Sequence, residues 1–167
     1  KHLNDNNNDN NDPLLQDISN DQKIILELQW RDIINKTCTN NNTFNNCISV
    51  VDVSRSMTGN ILNTALTMGI LTAECNNGFF NNKIITFSEK PEFITLNNNS
   101  NLGEKINIIK DIPWGMKTDI QAIYELILKQ TDSKDFSPKH MVKTIFIFTD
   151  MSFENATNTD WDHTYKS

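Results

Sequence analysis

Apolar residues in this chain fall into short blocks that are separated by polar, asparagine-rich segments. The blocks at 47–51 (CISVV), 83–87 (KIITF) and 144–148 (TIFIF) are rich in β-branched and aromatic residues. Short apolar runs of this composition are typical of strands whose two faces are both covered. The polar segment 88–91 indicates a turn, and the block at 92–96 (EFITL) predicts a short strand that returns antiparallel at an edge of the sheet.

Between these blocks, apolar residues recur at the three- and four-residue spacing of helices. The pattern predicts a helix over 21–36, a buried helix over 61–73, a short helix over 102–109 and a helix over 120–128. Thr118 or Asp119 is the expected N-cap of the last helix. Strands that alternate with helices indicate a Rossmann-like α/β fold, in which a doubly wound, mostly parallel sheet with an antiparallel edge strand has helices on both faces.

The asparagine-rich segments divide the chain into parts. Residues 1–12 are almost all polar, so they cannot bury enough apolar surface to fold, and we expect a disordered Asn/Asp-rich tail over residues 1–20. Residues 21–44 hold the first predicted helix and an Asn-rich loop, and residues 45–167 form the α/β domain. The segment after Asp150 is too short for the last strands of a complete doubly wound sheet. We therefore expect either that the natural protein extends past Ser167 or that the sheet is smaller.

The charge of the chain narrows the classes of partner. A net charge of −6 and a pI near 5.0 argue against a general binder of nucleic acid or of anionic membranes, because phosphate attraction requires basic surface; a local basic patch is the open alternative. No apolar run approaches the roughly 20 residues that span a bilayer. The cysteines Cys38, Cys47 and Cys75 are an odd set without a C-x-x-C pair, which favours a reducing compartment.

The stretch 52–56 (DVSRS) carries the most specific chemistry. It places one carboxylate and two hydroxyl groups, spaced two residues apart, where the first strand gives way to a helix. Such oxygen ligands suit Mg²⁺, or Mn²⁺ in its place. In open parallel sheets ligands bind at the carboxyl ends of strands, and Thr118 and Asp150 also fall at such an end or on a loop beside it. We expect these oxygens to converge on one divalent cation; the alternative is that Asp52 or Ser56 only caps the following helix.

The spacing D-x-S-x-S, a threonine before a later helix and an aspartate after a later strand together resemble the metal-ion-dependent adhesion site (MIDAS) of von Willebrand factor A (vWA) domains. The matching residues are Asp52, Ser54, Ser56, Thr118 and Asp150. The segments DVSRSM, KIITFSEKPEF, PWGMKTDIQAIYELIL and IFIFTDMSFENA are similar to an uncharacterised intracellular branch of vWA-like proteins from plants, fungi, amoebae and large DNA viruses. The resemblance therefore implies a vWA-like fold with a MIDAS-type site.

The resemblance also implies a role for each residue. Ser54 and Ser56 would bind the ion directly, Asp52 and Asp150 would act mainly through bound waters, and Thr118 would bind directly or through water. Because the innermost ligands are neutral, the ion would keep much of its charge and would take a carboxylate oxygen of a partner protein as its sixth ligand. The implied location is intracellular and cytoplasmic, meaning the host cytoplasm or the virion if the chain is viral.

Two positions depart from the family pattern. Arg55 stands where the family usually has glycine, and it either weakens metal binding or pairs with the incoming carboxylate. Met151 replaces a glycine after the last aspartate, which alters the shape of the loop more than its ligands. Trp114 either contacts the partner at the rim of the site or packs in the core.

We therefore predict a protein–protein interaction module that holds Mg²⁺ or Mn²⁺ and binds an Asp or Glu of its partner. An enzyme is not expected, because Ser54 takes the place of the second aspartate of a phosphatase-like site and the motifs G-x-S-x-G, G-x-x-x-x-G-K-[ST] and G-x-G-x-x-G are missing. Arg55 motivates the main alternative, a metal-free scaffold with a degenerate site. Two less favoured alternative functions are a ribonucleoprotein component and a metal-dependent hydrolase.

Overall fold

The structure, a computed structural model, describes residues 19–40, 44–88, 90–112, 119–131 and 136–150. The elements follow in the order α1 (Asn20–Asn40), β1 (Cys47–Asp52), α2 (Gly59–Cys75), β2 (Lys83–Phe87), β3 (Phe93–Thr95), α3 (Leu102–Lys110), α4 (Ile120–Thr131) and β4 (Thr144–Phe148). A short 3₁₀ turn, Pro138–His140, precedes β4. The predicted strands and helices are all present, and α1 extends further than its apolar pattern indicated.

The strands form one sheet in the order β3-β2-β1-β4. β1 lies inside it and runs parallel to both neighbours, with Asp52 opposite Phe87 of β2 and Val51 opposite Phe148 of β4. β3 is antiparallel to β2 at one edge. The prediction of an α/β fold with a mostly parallel sheet and one antiparallel strand is confirmed.

Helices pack on both faces of the sheet because the side chains of β1 alternate between them. Ile48 and Val50 belong to a cluster with Ile123 of α4, whereas Val51 belongs to a second cluster with residues of α1, α2 and α3. Ser49 also points to the α2 side, where its buried hydroxyl donates to the Gly69 carbonyl over 3.0 Å. α2 thus lies directly against β1, and its first turn follows the loop at the carboxyl end of that strand.

α1 lies on the outside of the α2 layer. The helix begins with a capping box. The Ser19 N–H donates to the Gln22 side chain over 2.8 Å, and the Gln22 N–H donates to the Ser19 hydroxyl over 3.2 Å. Trp30 is its one buried hydrophobic side chain among the described residues, at 6% exposed. The first half of the helix therefore leaves a run of apolar side chains exposed, namely Ile24, Ile25, Leu26 and Leu28.

The cysteines are not all free thiols. Cys38 of α1 and Cys75 of α2 form a disulfide whose Cα atoms are 4.9 Å apart. Cys47 is a free, fully buried cysteine, and burial raises the pKa of its thiol to about 11. The expectation that buried cysteines behave as small hydrophobes is thus met by Cys47, while Cys75 is buried as one half of a covalent link.

The expectation that β4 is buried on both faces is wrong. Its residues are half-buried or exposed, with Ile147 at 38% exposed, although the sequence TIFIF is almost entirely apolar. The reason is its place in the sheet, because within the described residues no strand pairs with the edge of β4 that faces away from β1. Between β4 and the start of α2 runs a groove of about 440 Å³, lined by Met57, Ile61, Met68, Phe148 and Thr149 among others.

Candidate functional site

The loop that carries the D-x-S-x-S motif is fixed by two apolar side chains. Val53 and Met57 are buried in the core on the α2 side, at 1% and 0% exposed. The Met57 N–H also donates to the Ser54 carbonyl over 3.1 Å, which closes a turn across 54–57. Burying a side chain of this size stabilises the fold by roughly 1.5 to 3 kcal/mol. The residues between the two anchors are consequently held at the surface, with Ser54 half-buried and Arg55 and Ser56 exposed.

Asp52 lies at the base of this loop, at the carboxyl end of β1, and is only 3% exposed. Its Oδ1 accepts a hydrogen bond from the Ser54 N–H over 2.8 Å, and its Oδ2 accepts one from the Thr149 hydroxyl over 2.6 Å. A buried carboxylate is costly unless its oxygens are hydrogen-bonded, and both of these are. The site therefore has a fixed, partnered negative charge beneath its surface loop.

The two serine hydroxyls of the motif lie side by side. Ser54 Oγ and Ser56 Oγ are 2.9 Å apart. Adjacent ligands of an octahedral Mg²⁺ ion, each about 2.0 to 2.1 Å from the metal, are separated by about 2.9 Å. In the structure this spacing is that of a hydrogen bond between the two hydroxyls, and together with the hard donor set of hydroxyl and carboxylate groups it is also compatible with a Mg²⁺ ion. The donor chemistry equally fits Mn²⁺.

Of the other predicted site residues, Asp150 and Asp119 are among the described residues. Asp150 is half-buried and directly follows Thr149, so it lies at the same edge of the sheet as Asp52. Thr118 and the predicted partner contact Trp114 lie outside the described residues. Asp119, the alternative cap of the predicted helix, accepts a hydrogen bond from the Ala122 N–H over 3.1 Å at the start of α4. Asp119 therefore acts as a helix cap.

Thr149 was missed by the sequence analysis. It is the first residue after β4, and continuing the pairing of Val51 with Phe148 by one residue places it opposite Asp52. The chain contains many threonines, and only the register of β1 against β4 distinguishes this one. A signal was present, since a polar residue directly after an apolar strand marks the same sheet edge as Asp52.

In the described part of the chain, no group of three or more acidic, histidine or cysteine side chains is arranged so that it could hold a metal ion. The candidate site is of a different kind. Its candidate ligands are the hydroxyl groups of Ser54 and Ser56 in the surface loop and the buried carboxylate of Asp52, which accepts the Ser54 N–H. The chemistry of such a cluster suits a hard cation, and within the described residues it holds no nucleophile with a base in hydrogen-bond contact.

Comparison with known proteins assigns the chain to a family. Residues 46–167 match the family described as Domain of unknown function (DUF7788), and because this match covers most of the chain, the chain belongs to that family. It is also similar to an uncharacterized protein of Acanthamoeba polyphaga mimivirus, with 39% identity over 148 residues. That similarity covers 89% of this chain and 26% of the viral protein, so the chain spans about a quarter of its relative's length.

No solved structure gives a significant match to the chain. In the described ranges, none of the helices is both long and apolar enough to cross a membrane.

Proposed function

We propose that this chain is a vWA-like, metal-dependent protein-interaction module with an intracellular role. The ion is Mg²⁺, or Mn²⁺ in its place, and a carboxylate of a partner protein completes its coordination. The metal-binding residues are Asp52, Ser54, Ser56, Thr118 and Asp150, and Arg55 and Trp114 contact the partner. The observation that carries this proposal is the 2.9 Å spacing of the two serine hydroxyls above the buried carboxylate of Asp52.

The balance of charge supports an acidic ligand. The chain carries a net charge of −6, so by itself it repels an acidic partner at long range. A divalent ion held by two neutral hydroxyl groups keeps most of its charge, and the exposed Arg55 adds a second cation at the same loop. This local positive charge is what an Asp or Glu side chain recognises.

The placement of the charges argues against hydrolysis. Both oxygens of Asp52 accept hydrogen bonds from the protein, so this carboxylate is poorly placed to attack a substrate. Ser54 and Ser56 bond to each other, and in the described part of the chain no histidine, lysine or acidic side chain hydrogen-bonds to either hydroxyl. A nucleophilic serine requires such a base. Ligand binding is the better use of these groups.

A metal-free scaffold is the second candidate, and the exposure of Arg55 between the two serines favours it. A guanidinium group binds a carboxylate through two parallel hydrogen bonds without any ion. In that case the serines and Asp52 only shape the loop, and Arg55 carries the interaction. The two candidates differ in whether a chelator abolishes partner binding.

The proposal is tested by thermal unfolding during a titration with MgCl₂ or MnCl₂. At a ligand concentration of about 100 times the dissociation constant, we expect roughly 2.7 kcal/mol of stabilisation, or a rise in Tm on the order of 5 to 10 °C. Asp52→Ala should abolish the rise. Asp32→Ala, which removes an exposed carboxylate of α1 paired with Lys36, is the matched control and should keep it.

A Tm that stays constant in the parent chain at millimolar Mg²⁺ and Mn²⁺ would contradict the metal site and favour the scaffold. Candidate partners are then compared with Mg²⁺ and with chelator in parallel, for the parent and for Arg55→Gln. Binding that survives the chelator but not Arg55→Gln identifies the metal-free mode.

A further inference from the structure

Thr149 hydrogen-bonds to the carboxylate of Asp52, which ends the neighbouring strand β1. It follows the last residue of β4, and its Oγ1 donates to Asp52 Oδ2 over 2.6 Å. A hydroxyl that donates to a carboxylate over 2.5 to 2.7 Å makes a charge-assisted hydrogen bond, roughly twice as strong as a neutral one. This bond joins two residues that are 97 positions apart in sequence.

The second oxygen of the same carboxylate is held from its own loop. Asp52 Oδ1 accepts the Ser54 N–H over 2.8 Å, so the two oxygens of Asp52 are held by donors from two different segments. With both oxygens held, the carboxylate plane is fixed. An aspartate held on one side only would retain a rotation about its Cβ–Cγ bond.

The fixed plane matters because Asp52 lies behind the serine hydroxyls. Ser54 is half-buried and Ser56 is exposed, and their Oγ atoms are neighbours, whereas Asp52 is only 3% exposed. A buried carboxylate beneath these hydroxyls would act on a bound ion through the waters and ligands that it orients. Residues that hold such outer groups typically change metal affinity by 10- to 100-fold when mutated.

We infer that Thr149 is a positioning residue of the metal site, whose hydroxyl fixes the orientation of Asp52 for ion binding. The inference rests on the proposed metal-dependent function and adds to it the residue that directly follows β4. A purely structural role is the competing explanation, in which the hydrogen bond only ties the end of β4 to β1. The two explanations differ in whether metal affinity or only stability depends on the hydroxyl.

The test measures the Mg²⁺ dissociation constant by calorimetric titration for the parent, Thr149→Val, Thr149→Ser and Thr72→Val. Thr149→Val keeps the shape and removes the hydroxyl, whereas Thr149→Ser keeps the hydroxyl. Thr72→Val is the control for lost stability, because it removes a buried hydroxyl that donates to the Met68 carbonyl over 2.9 Å further along α2. We expect a dissociation constant at least 10-fold higher for Thr149→Val and values close to the parent's for the other two variants.

An unchanged dissociation constant for Thr149→Val, with a lower Tm in the absence of metal, would overturn the inference and establish the structural tie. In that outcome Asp52→Ala still abolishes binding if the proposed function is right, so the two failures are distinguishable. No binding by the parent chain would overturn both. If Thr149→Val fails to fold, Thr149→Ala is measured in its place and judged by the same constant.

Discussion

Gly69 of α2 lies so close to Val51 of β1 that a β-carbon on Gly69 would overlap the Cγ2 atom of Val51. Both residues are fully or almost fully buried, and the Ser49 hydroxyl bonds to the Gly69 carbonyl at the same place. The glycine is therefore required by the distance between helix and strand. This close contact lies in α2, the helix that begins just after the D-x-S-x-S loop.

Gly69→Ala is expected to destabilise the fold despite the better helix propensity of alanine. The added methyl group must push α2 away from β1 or move Val51, and such overpacking costs about 1 to 3 kcal/mol. For a chain of this size that lowers Tm by roughly 2 to 12 °C. Asn63→Ala, an exposed change in the same helix, is the control and should leave Tm unchanged or slightly higher. Equal stability of the two variants would show that α2 has room to move.

Thiol counts test the cysteine pairing directly. The chain has three cysteines, and the structure leaves one of them free. In denaturant without reductant, we expect one titratable thiol per chain, and after reduction three. In the native state Cys47 should resist alkylation near pH 8, because it is fully buried and burial raises its pKa to about 11. Three thiols in denaturant before any reduction would disprove the disulfide.

The ion pair between Lys105 of α3 and Glu74 of α2 is nearly buried, with side chains 7% and 14% exposed and an Nζ–Oε1 distance of 2.7 Å. Lys105→Met should cost about 3 kcal/mol, because it leaves the Glu74 carboxylate buried without a partner. The double variant Glu74→Leu/Lys105→Met should regain most of that loss, because no charge is then buried. Chemical denaturation of the parent, the single and the double variant measures both effects. A double variant no more stable than the single one would refute this account.

Arg55→Gln is expected to strengthen Mg²⁺ binding. The exposed Arg55 lies between the two proposed serine ligands in sequence, so its guanidinium would repel a divalent ion bound by them. Removing this repulsion should lower the dissociation constant roughly 3- to 10-fold at low salt, and the gain should shrink at higher salt. Lys129→Gln, which removes an exposed cation of α4, is the control. If Arg55 also pairs with the partner's carboxylate, the same variant binds metal better and partner less well.

The parts that the sequence could predict are those set by local patterns. β-branched blocks located β1, β2 and β3, and the adjacent D-x-S-x-S spacing located Asp52, Ser54 and Ser56 on one loop, because Val53 and Met57 turn inward on either side. Asp150 could be assigned to the same edge because parallel strands end together.

The parts that were missed depend on how distant segments align. The bond from Thr149 to Asp52 follows from the register of β4 against β1, which no local pattern reveals. Pairing of Cys38 with Cys75 required α1 to continue past its apolar stripe and to lie along α2. The exposure of β4 was missed because composition shows that a strand is apolar, and only the sheet order shows which of its sides is covered.

The disulfide also links α1 covalently to α2, independently of the peptide backbone between them. Cys38 precedes the region 46–167 that matches the family, and Cys75 lies inside it. A protease that cuts any single bond between these two cysteines therefore leaves α1 attached, and the nicked chain should run as one band on a gel until a reductant separates it. In an oxidising environment the disulfide keeps α1 covalently bound to the domain after such a cut. In a reducing one, only contacts such as that of Trp30 keep it there.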